Sequence, residues 1–146
     1  DERVKLSSSI GYLRTWIDQY EFYTNQNTST TLGNRSQAQA PELTCSVIGR
    51  LKPVDSFSVT VDYSYKDRYY FSDSHDYQSD SYSIINISLD YRLKSTLLSL
   101  WVRNIQDTRY ALRGFYFGLE PPEYENKLYL QWGDPISFGV TTRYEF

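Results

Sequence analysis

The sequence has very few of the residues that form disulfide bonds or metal centres. Its 146 residues include one cysteine (Cys45), one histidine (His75) and no methionine. One cysteine cannot form an internal disulfide bond, and one cysteine with one histidine cannot complete the four-ligand set of a structural zinc site. We therefore expect Cys45 to be a small apolar side chain that is buried or faces lipid, and we predict no bound metal and no cofactor.

The sequence also lacks long hydrophobic runs. No stretch reaches the roughly 18 apolar residues that mark a transmembrane helix, and the mean hydropathy is -0.58. The net charge of -3 provides no basic surface, so a nucleic-acid partner is not expected. Neither an initiator methionine nor a signal peptide begins the sequence, and we therefore expect a fragment or processed piece of an exported protein.

What the sequence does contain is tyrosine and phenylalanine in an alternating pattern, with 15 and 7 copies respectively. The clearest stretch runs from Ile136 to Phe146. Its apolar members are Phe138, Val140, Tyr144 and Phe146, and its polar members are Ser137, Gly139, Thr141, Arg143 and Glu145. Side chains alternate between the two faces of a strand, and roughly 9–11 residues span a bilayer when tilted. The pattern therefore predicts a transmembrane strand.

Five more strands are predicted by the same alternation. They run from about Val4 to Asp18, Glu42 to Lys52, Phe57 to Tyr65, Ser81 to Leu93 and Thr96 to Ile105. Their apolar faces carry no charge at the centre, whereas residues such as Arg50, Asp62 and Asp90 fall on the opposite face. Because a mid-membrane arginine or lysine facing lipid costs roughly 2–4 kcal/mol, we expect the uncharged face to contact outer-membrane lipid.

The connections between these strands alternate in length. Gln19–Gln39, Ser72–Asp76 and Thr108–Pro135 form the longer or more polar set, and Lys52–Ser56 and Lys94–Ser95 are short turns. Outer-membrane barrels have long extracellular loops and short periplasmic turns. The sequence therefore predicts an all-β, antiparallel transmembrane β-barrel segment of about six strands. A soluble β-sandwich binding module is the less favoured alternative, because its apolar faces would be buried against each other.

Two motifs resemble the end of TonB-dependent outer-membrane receptors. The segment from Asn104 to Tyr110 (N-I-Q-D-T-R-Y) is similar to their N-L-x-D-x-x-Y, and the segment from Gly133 to Phe146 (G-D-P-I-S-F-G-V-T-T-R-Y-E-F) is similar to their terminal G-x-P-R-x-F-G-V-x-x-R-Y-x-F. Gly33-Asn34-Arg35 followed by Ala40-Pro41 resembles the approach to a late barrel strand. One departure is Ile136, where the family commonly has arginine.

This resemblance implies that residues 1–146 form the C-terminal part of a 22-stranded barrel in the outer membrane of a Gram-negative bacterium. The plug domain and TonB box of the family are absent from the sequence, so contact with the TonB complex is expected through the missing plug region. The implied function is uptake of a scarce ligand, most often a ferric siderophore, and not an enzymatic reaction. A passive porin or structural barrel is the alternative, and a plug sequence upstream would distinguish the two.

Candidate ligand residues lie in the last long loop, which is rich in aromatic side chains. They are Tyr110, Arg113, Tyr116, Tyr124 and Trp132. Aromatic rings and an arginine in an extracellular loop could stack on and pair with an anionic metal chelate. By contrast, His75 lies in a Ser- and Asp-rich tip and is expected to be solvated. The resemblance further implies that Phe138, Tyr144 and Phe146 are read by the barrel-assembly machinery.

Overall fold

The computed structural model describes residues 3–25 and 28–146. In that part of the chain the strands are β1 (Val4–Tyr12), β2 (Tyr20–Asn25), β3 (Thr28–Leu32), β4 (Leu43–Val54), β5 (Phe57–Lys66), β6 (Tyr82–Leu93), β7 (Thr96–Arg103), β8 (Ala111–Gly118), β9 (Asn126–Trp132) and β10 (Ser137–Tyr144). Within these residues no helix has the length and apolarity needed to cross a membrane.

Six of the strands form one antiparallel sheet in the order β1-β4-β5-β6-β7-β10. These are the six strands that the alternating pattern predicts, so the all-β antiparallel prediction is confirmed. The sheet is open, because β1 and β10 lie at its two edges and do not pair with each other. The described chain therefore does not close into a barrel, and the expected count of 22 strands stays a prediction.

The strand register places the predicted apolar residues on a single face of the sheet. One row of paired residues crosses every strand and consists of Val4, Leu51, Val59, Leu89, Leu100 and Val140. The adjacent row on the other face consists of Lys5, Arg50, Thr60, Ser88, Trp101 and Gly139. Because a shift of one residue would exchange the two faces, this register holds all polar residues of the second row on one side.

The apolar face is left uncovered. Phe138 is 80% exposed and Ile10 is 74% exposed, and the buried hydrophobic residues among those described, Leu32, Tyr69 and Phe71, all lie outside the six-stranded sheet. A β-sandwich would bury such a face against a second sheet. Large exposed apolar surfaces mark membrane or protein contacts. The described residues therefore do not form the sandwich alternative.

The long loops are more regular than the sequence predicts. The connection between β1 and β4 contains the hairpin β2–β3, and the connection between β7 and β10 contains the hairpin β8–β9. The first strand ends at Tyr12 rather than near Asp18, and the chain then continues through an isolated pairing of Ile17 with Arg35. The predicted turn at Lys94–Ser95 is present, and Lys94 has a left-handed φ of 53°. These hairpins position the candidate site.

Gly139 of the terminal motif has a packing role on the polar face. A Cβ atom at this position would lie 2.4 Å from Cζ2 of Trp101, its directly paired neighbour. The Trp101 indole Nε1 donates a hydrogen bond to Oγ1 of Thr141 at 3.2 Å. Only glycine leaves room for the indole to lie flat across β10, an arrangement that also shields a glycine in a strand.

Candidate functional site

Three chain segments meet beyond the same end of the six-stranded sheet. They are the hairpin β2–β3, the hairpin β8–β9, and the tip (Ser72–Tyr77), which belongs to the connection between β5 and β6. They surround a cavity of about 720 Å³. Its lining includes Phe22, Tyr23, Leu32, His75, Tyr77, Tyr116 and Phe117. Ligand pockets typically measure about 300–1,000 Å³, and this cavity has that size. Its lining also includes the polar residues Thr30, Ser74, Asp76 and Asn126, so aromatic and polar groups are mixed in its wall.

His75 forms part of the cavity wall, and the prediction that it is solvated is wrong. Only 6% of the residue is exposed. Its ring centroid lies 5.6 Å from that of Tyr77 and 6.1 Å from that of Tyr116. Tyr116 belongs to β8, far away in sequence, so the polar neighbours of His75 in the chain gave no indication of this aromatic packing.

The hydrogen bonding of His75 favours a neutral ring. Nδ1 accepts a hydrogen bond from the Tyr77 backbone N–H at 3.3 Å, and Nε2 is buried without a partner in the described part of the chain. Burial lowers the pKa of His75, and the positive charge of Arg35 acts in the same direction. The Gly114 backbone and the Asp76 carboxylate oppose that shift. The ring is therefore uncharged near neutral pH.

Arg35 was not among the predicted site residues, although only 6% of it is exposed. It follows Gly33, whose φ of 109° is left-handed and whose Cβ, if present, would lie 2.3 Å from the Asp18 carbonyl oxygen. The Arg35 guanidinium lies 4.1 Å above the Tyr70 ring. The Gly-Asn-Arg segment of the family resemblance was the available signal, and its structural meaning is a tight turn that buries an arginine.

The structure brings together two of the predicted ligand residues, Arg113 and Tyr116. Both line a second cavity, of about 340 Å³, which they share with Phe71 and His75. Tyr116 also packs against Tyr77 with a ring separation of 4.9 Å. Tyr116 and His75 border both cavities, so they form the boundary between the two spaces.

Tyr110 and Trp132 lie together at the base of the hairpin β8–β9, beside a smaller space of about 140 Å³. Tyr110 stacks on Tyr82 with a centroid distance of 4.5 Å. The Arg109 guanidinium lies 4.4 Å above the Trp132 ring. Tyr124, by contrast, is 60% exposed in the connection between β8 and β9 and lines none of these three spaces. The five predicted residues are therefore divided among different places.

The Asn104 motif closes the last loop and does not contribute to the cavity. Asn104 is 3% exposed, and its side chain donates to the carbonyls of Thr108 and Asp134 at 2.9 and 3.0 Å. Asp107 accepts a hydrogen bond from the Ile136 backbone N–H at 2.9 Å. Asn104 and Asp107 have left-handed φ angles of 47° and 50°, which asparagine and aspartate tolerate better than most residues.

The three residues predicted to act in assembly lie at the edge strand and its end. Phe138 and Tyr144 belong to the apolar face of β10, and Tyr144 contacts Phe146 edge-to-face at 5.2 Å. Their role in assembly stays a prediction. In residues 3–25 and 28–146 no cluster of three or more His, Cys, Asp or Glu side chains is placed to hold a metal ion. The arrangement is suited to binding through stacking and hydrogen bonding.

No protein-family model matches the sequence. Two solved structures are similar in fold. The siderophore receptor PiuA from Acinetobacter baumannii aligns with 97% of this chain at 15% identity and a TM-score of 0.76. The ferric-catecholate import receptor Fiu from E. coli K12 aligns with 97% of the chain at 16% identity and a TM-score of 0.61.

These similarities concern only part of each receptor, because the chain spans 19% of PiuA and 18% of Fiu. They confirm the predicted resemblance to TonB-dependent outer-membrane receptors at the level of fold, and they match the all-β antiparallel prediction. Both similar proteins are import or siderophore receptors by name.

Proposed function

We propose that this chain forms the C-terminal part of the barrel wall of a TonB-dependent receptor that imports a ferric siderophore across the outer membrane of a Gram-negative bacterium. The observation that carries the proposal is the uncharged, uncovered apolar face of the six-stranded sheet, combined with a polar opposite face. A lipid bilayer would cover the first, and the interior of a 22-stranded barrel would receive the second. The fold similarity to two siderophore receptors supports the same assignment.

In this orientation the turns after Val54 and Leu93 lie in the periplasm, and the hairpins and the tip lie outside the cell. The plug and the TonB box belong to other parts of the receptor, and the TonB complex acts through them. A passive porin would share the wall but would have no plug. Phe138, Tyr144 and Phe146 would also serve as the signal that the barrel-assembly machinery reads.

The ligand site we propose is the pair of cavities that meet at His75 and Tyr116. Arg113 supplies a guanidinium, whose planar set of N–H donors can pair with an anionic group. Tyr116 supplies a ring face for stacking on a planar ligand group. A ferric siderophore with anionic, planar iron-binding groups has the chemistry that this pair would bind. Tyr110 and Trp132 lie at the base of the hairpin β8–β9, nearer to the six-stranded sheet, where they would contact a ligand moving toward the barrel interior.

The test uses the full-length receptor with Arg113→Ala and Tyr116→Ala, singly and together. With a ferric catecholate chelate as the probe, we expect each single variant to lose about tenfold in affinity, which corresponds to about 1.4 kcal/mol. Tyr124→Ala is the matched control, since Tyr124 is exposed outside the cavities, and its loss should be smaller. Calorimetric titration measures the affinities. Wild-type affinity in the double variant would contradict the proposed site.

A further inference from the structure

Arg35 connects two segments that form different walls of the 720 Å³ cavity. Its backbone pairs with Ile17, whose N–H donates to the Arg35 carbonyl at 2.9 Å. This pairing closes the base of the hairpin β2–β3, which supplies Phe22 and Leu32 to the cavity. The backbone pairing therefore places Arg35 at the base of one wall, independently of its side-chain contacts.

The Arg35 side chain reaches across to the tip and binds backbone carbonyls there. Nη1 donates to the His75 carbonyl at 2.9 Å, and Nη2 donates to the carbonyls of Ser72 and Asp73 at 3.1 Å each. Nη1 also lies 3.2 Å from Oδ1 of Asp76. One guanidinium thus binds three carbonyl oxygens of the tip, and buried backbone acceptors need such partners. One of the three, the Asp73 carbonyl, also accepts a hydrogen bond from the Tyr20 hydroxyl of β2.

These contacts require an arginine. A guanidinium presents five N–H donors in a rigid plane, whereas a lysine ammonium is a compact point charge on a flexible stem. The ion pair with Asp76 contributes less, because the Asp76 side chain is 73% exposed and exposed ion pairs are weak. The ordering effect of Arg35 therefore comes mainly from its bonds to the carbonyls and from its stacking on Tyr70.

We propose that Arg35 is a positioning residue that holds the tip against the hairpins and so fixes the distance between the walls of the cavity. Arg35 does not line that cavity. It acts through His75, whose carbonyl it binds and whose ring packs on Tyr116. The link from this ordering to ligand affinity rests on the siderophore site proposed above, whereas the ordering itself does not.

The first measurement is hydrogen exchange, by mass spectrometry, of the tip in the full-length receptor. Arg35→Lys keeps the charge but cannot donate to all three carbonyls at once. We therefore expect exchange in the tip to become about tenfold faster. Asp76→Asn is the matched control, which removes the ion pair and should leave exchange near wild type. Exchange in β5 and β6 should stay unchanged in both variants. If Arg35→Lys fails to assemble, Arg35→Gln replaces it, because it leaves no buried charge.

The second measurement is the affinity for a ferric catecholate chelate. We expect Arg35→Lys to weaken binding by about tenfold or more. Asp76 itself lines the 720 Å³ cavity, so the control for affinity is Tyr124→Ala, since Tyr124 is exposed outside the cavities, and this variant should bind nearly as wild type. Unchanged exchange in the tip of the arginine variants would overturn the ordering role. Faster exchange with unchanged affinity would overturn the positioning of the site. A wild-type receptor that binds no ferric chelate would overturn the proposed function, while the exchange result would still decide the ordering role.

Discussion

At the scale of single residues, the environment of His75 links protonation to the shape of the tip. Nδ1 is already an acceptor for the Tyr77 N–H, so a second proton would place two hydrogen atoms against each other. The ring is also buried near the Arg35 guanidinium, and both features disfavour a cation. Burial lowers the pKa of His75 in the folded tip, whereas a released tip would have the ordinary value of about 6.5.

The sign of the resulting pH dependence follows from that difference. The released tip binds a proton more readily than the folded tip. The contribution of neutral His75 to the stability of the tip is therefore complete above about pH 6.5 and is lost as the pH falls toward the lowered pKa. We expect hydrogen exchange in residues 72–77, corrected for the intrinsic effect of pH, to accelerate below about pH 6.5. The chain has no other histidine, which simplifies the assignment.

His75→Asn is the control for this prediction. The asparagine side-chain oxygen can accept a hydrogen bond from the Tyr77 N–H, and the amide does not titrate. Corrected exchange in this variant should therefore be nearly independent of pH between about 5 and 7. Parallel pH profiles for the variant and the wild type would show that His75 does not control the tip.

The sequence could not reveal this environment because its members are distant along the chain. His75 is surrounded in sequence by Ser74, Asp73 and Asp76, which are polar residues typical of a solvated loop. Its packing partner Tyr116 and the positioning residue Arg35 come from two other connections. Residue patterns report the immediate neighbours of a side chain, whereas burial here depends on how three loops meet.

At the scale of elements, the six long strands were predictable and the two hairpins were not. Each long strand alternates apolar and polar residues over a membrane-length stretch, and that pattern directly encodes two different faces. β3 consists of threonine and serine before Leu32, so it shows no alternation. β9 (Asn126–Trp132) lies within Thr108–Pro135, which the sequence analysis assigns to a long connection.

The faces of β7 provide a matched test of the wall. Leu100 and Ser99 are adjacent but lie on opposite faces. The Ser99 hydroxyl donates to Oδ1 of Asp90 at 2.6 Å, so an arginine at position 99 would have a carboxylate partner. We expect Leu100→Arg to destabilise the folded receptor by roughly 2–4 kcal/mol, as for a charge facing lipid at mid-membrane, and Ser99→Arg to have a much smaller effect.

The measurement is the fraction of receptor in outer-membrane preparations that keeps its compact electrophoretic mobility in detergent before heating. Leu100→Arg should reduce that fraction strongly, and Ser99→Arg should not. Equal loss in both variants would mean that the two faces have similar surroundings, and the proposed contact between the apolar face and lipid would then be wrong.

At the scale of the whole molecule, the two open edges dominate the energetics. β1 and β10 each present a row of backbone N–H and C=O groups without a strand beside them in the described chain. In the hydrocarbon core of a membrane each unpaired group costs several kcal/mol, so spanning sheets must be closed. The sheet of this chain therefore needs other strands on both edges before it can be stable in a bilayer.

We accordingly expect the 146-residue chain, when expressed alone, to aggregate or be degraded, because both its apolar face and its edges lack partners. Expressed together with the remaining strands of its receptor as a separate polypeptide, it should become resistant to protease in the outer membrane. The Ser99→Arg chain should be rescued in the same way, whereas the Leu100→Arg chain should be rescued poorly. A chain that is instead a monodisperse monomer without detergent would contradict the barrel-wall proposal and favour a soluble module.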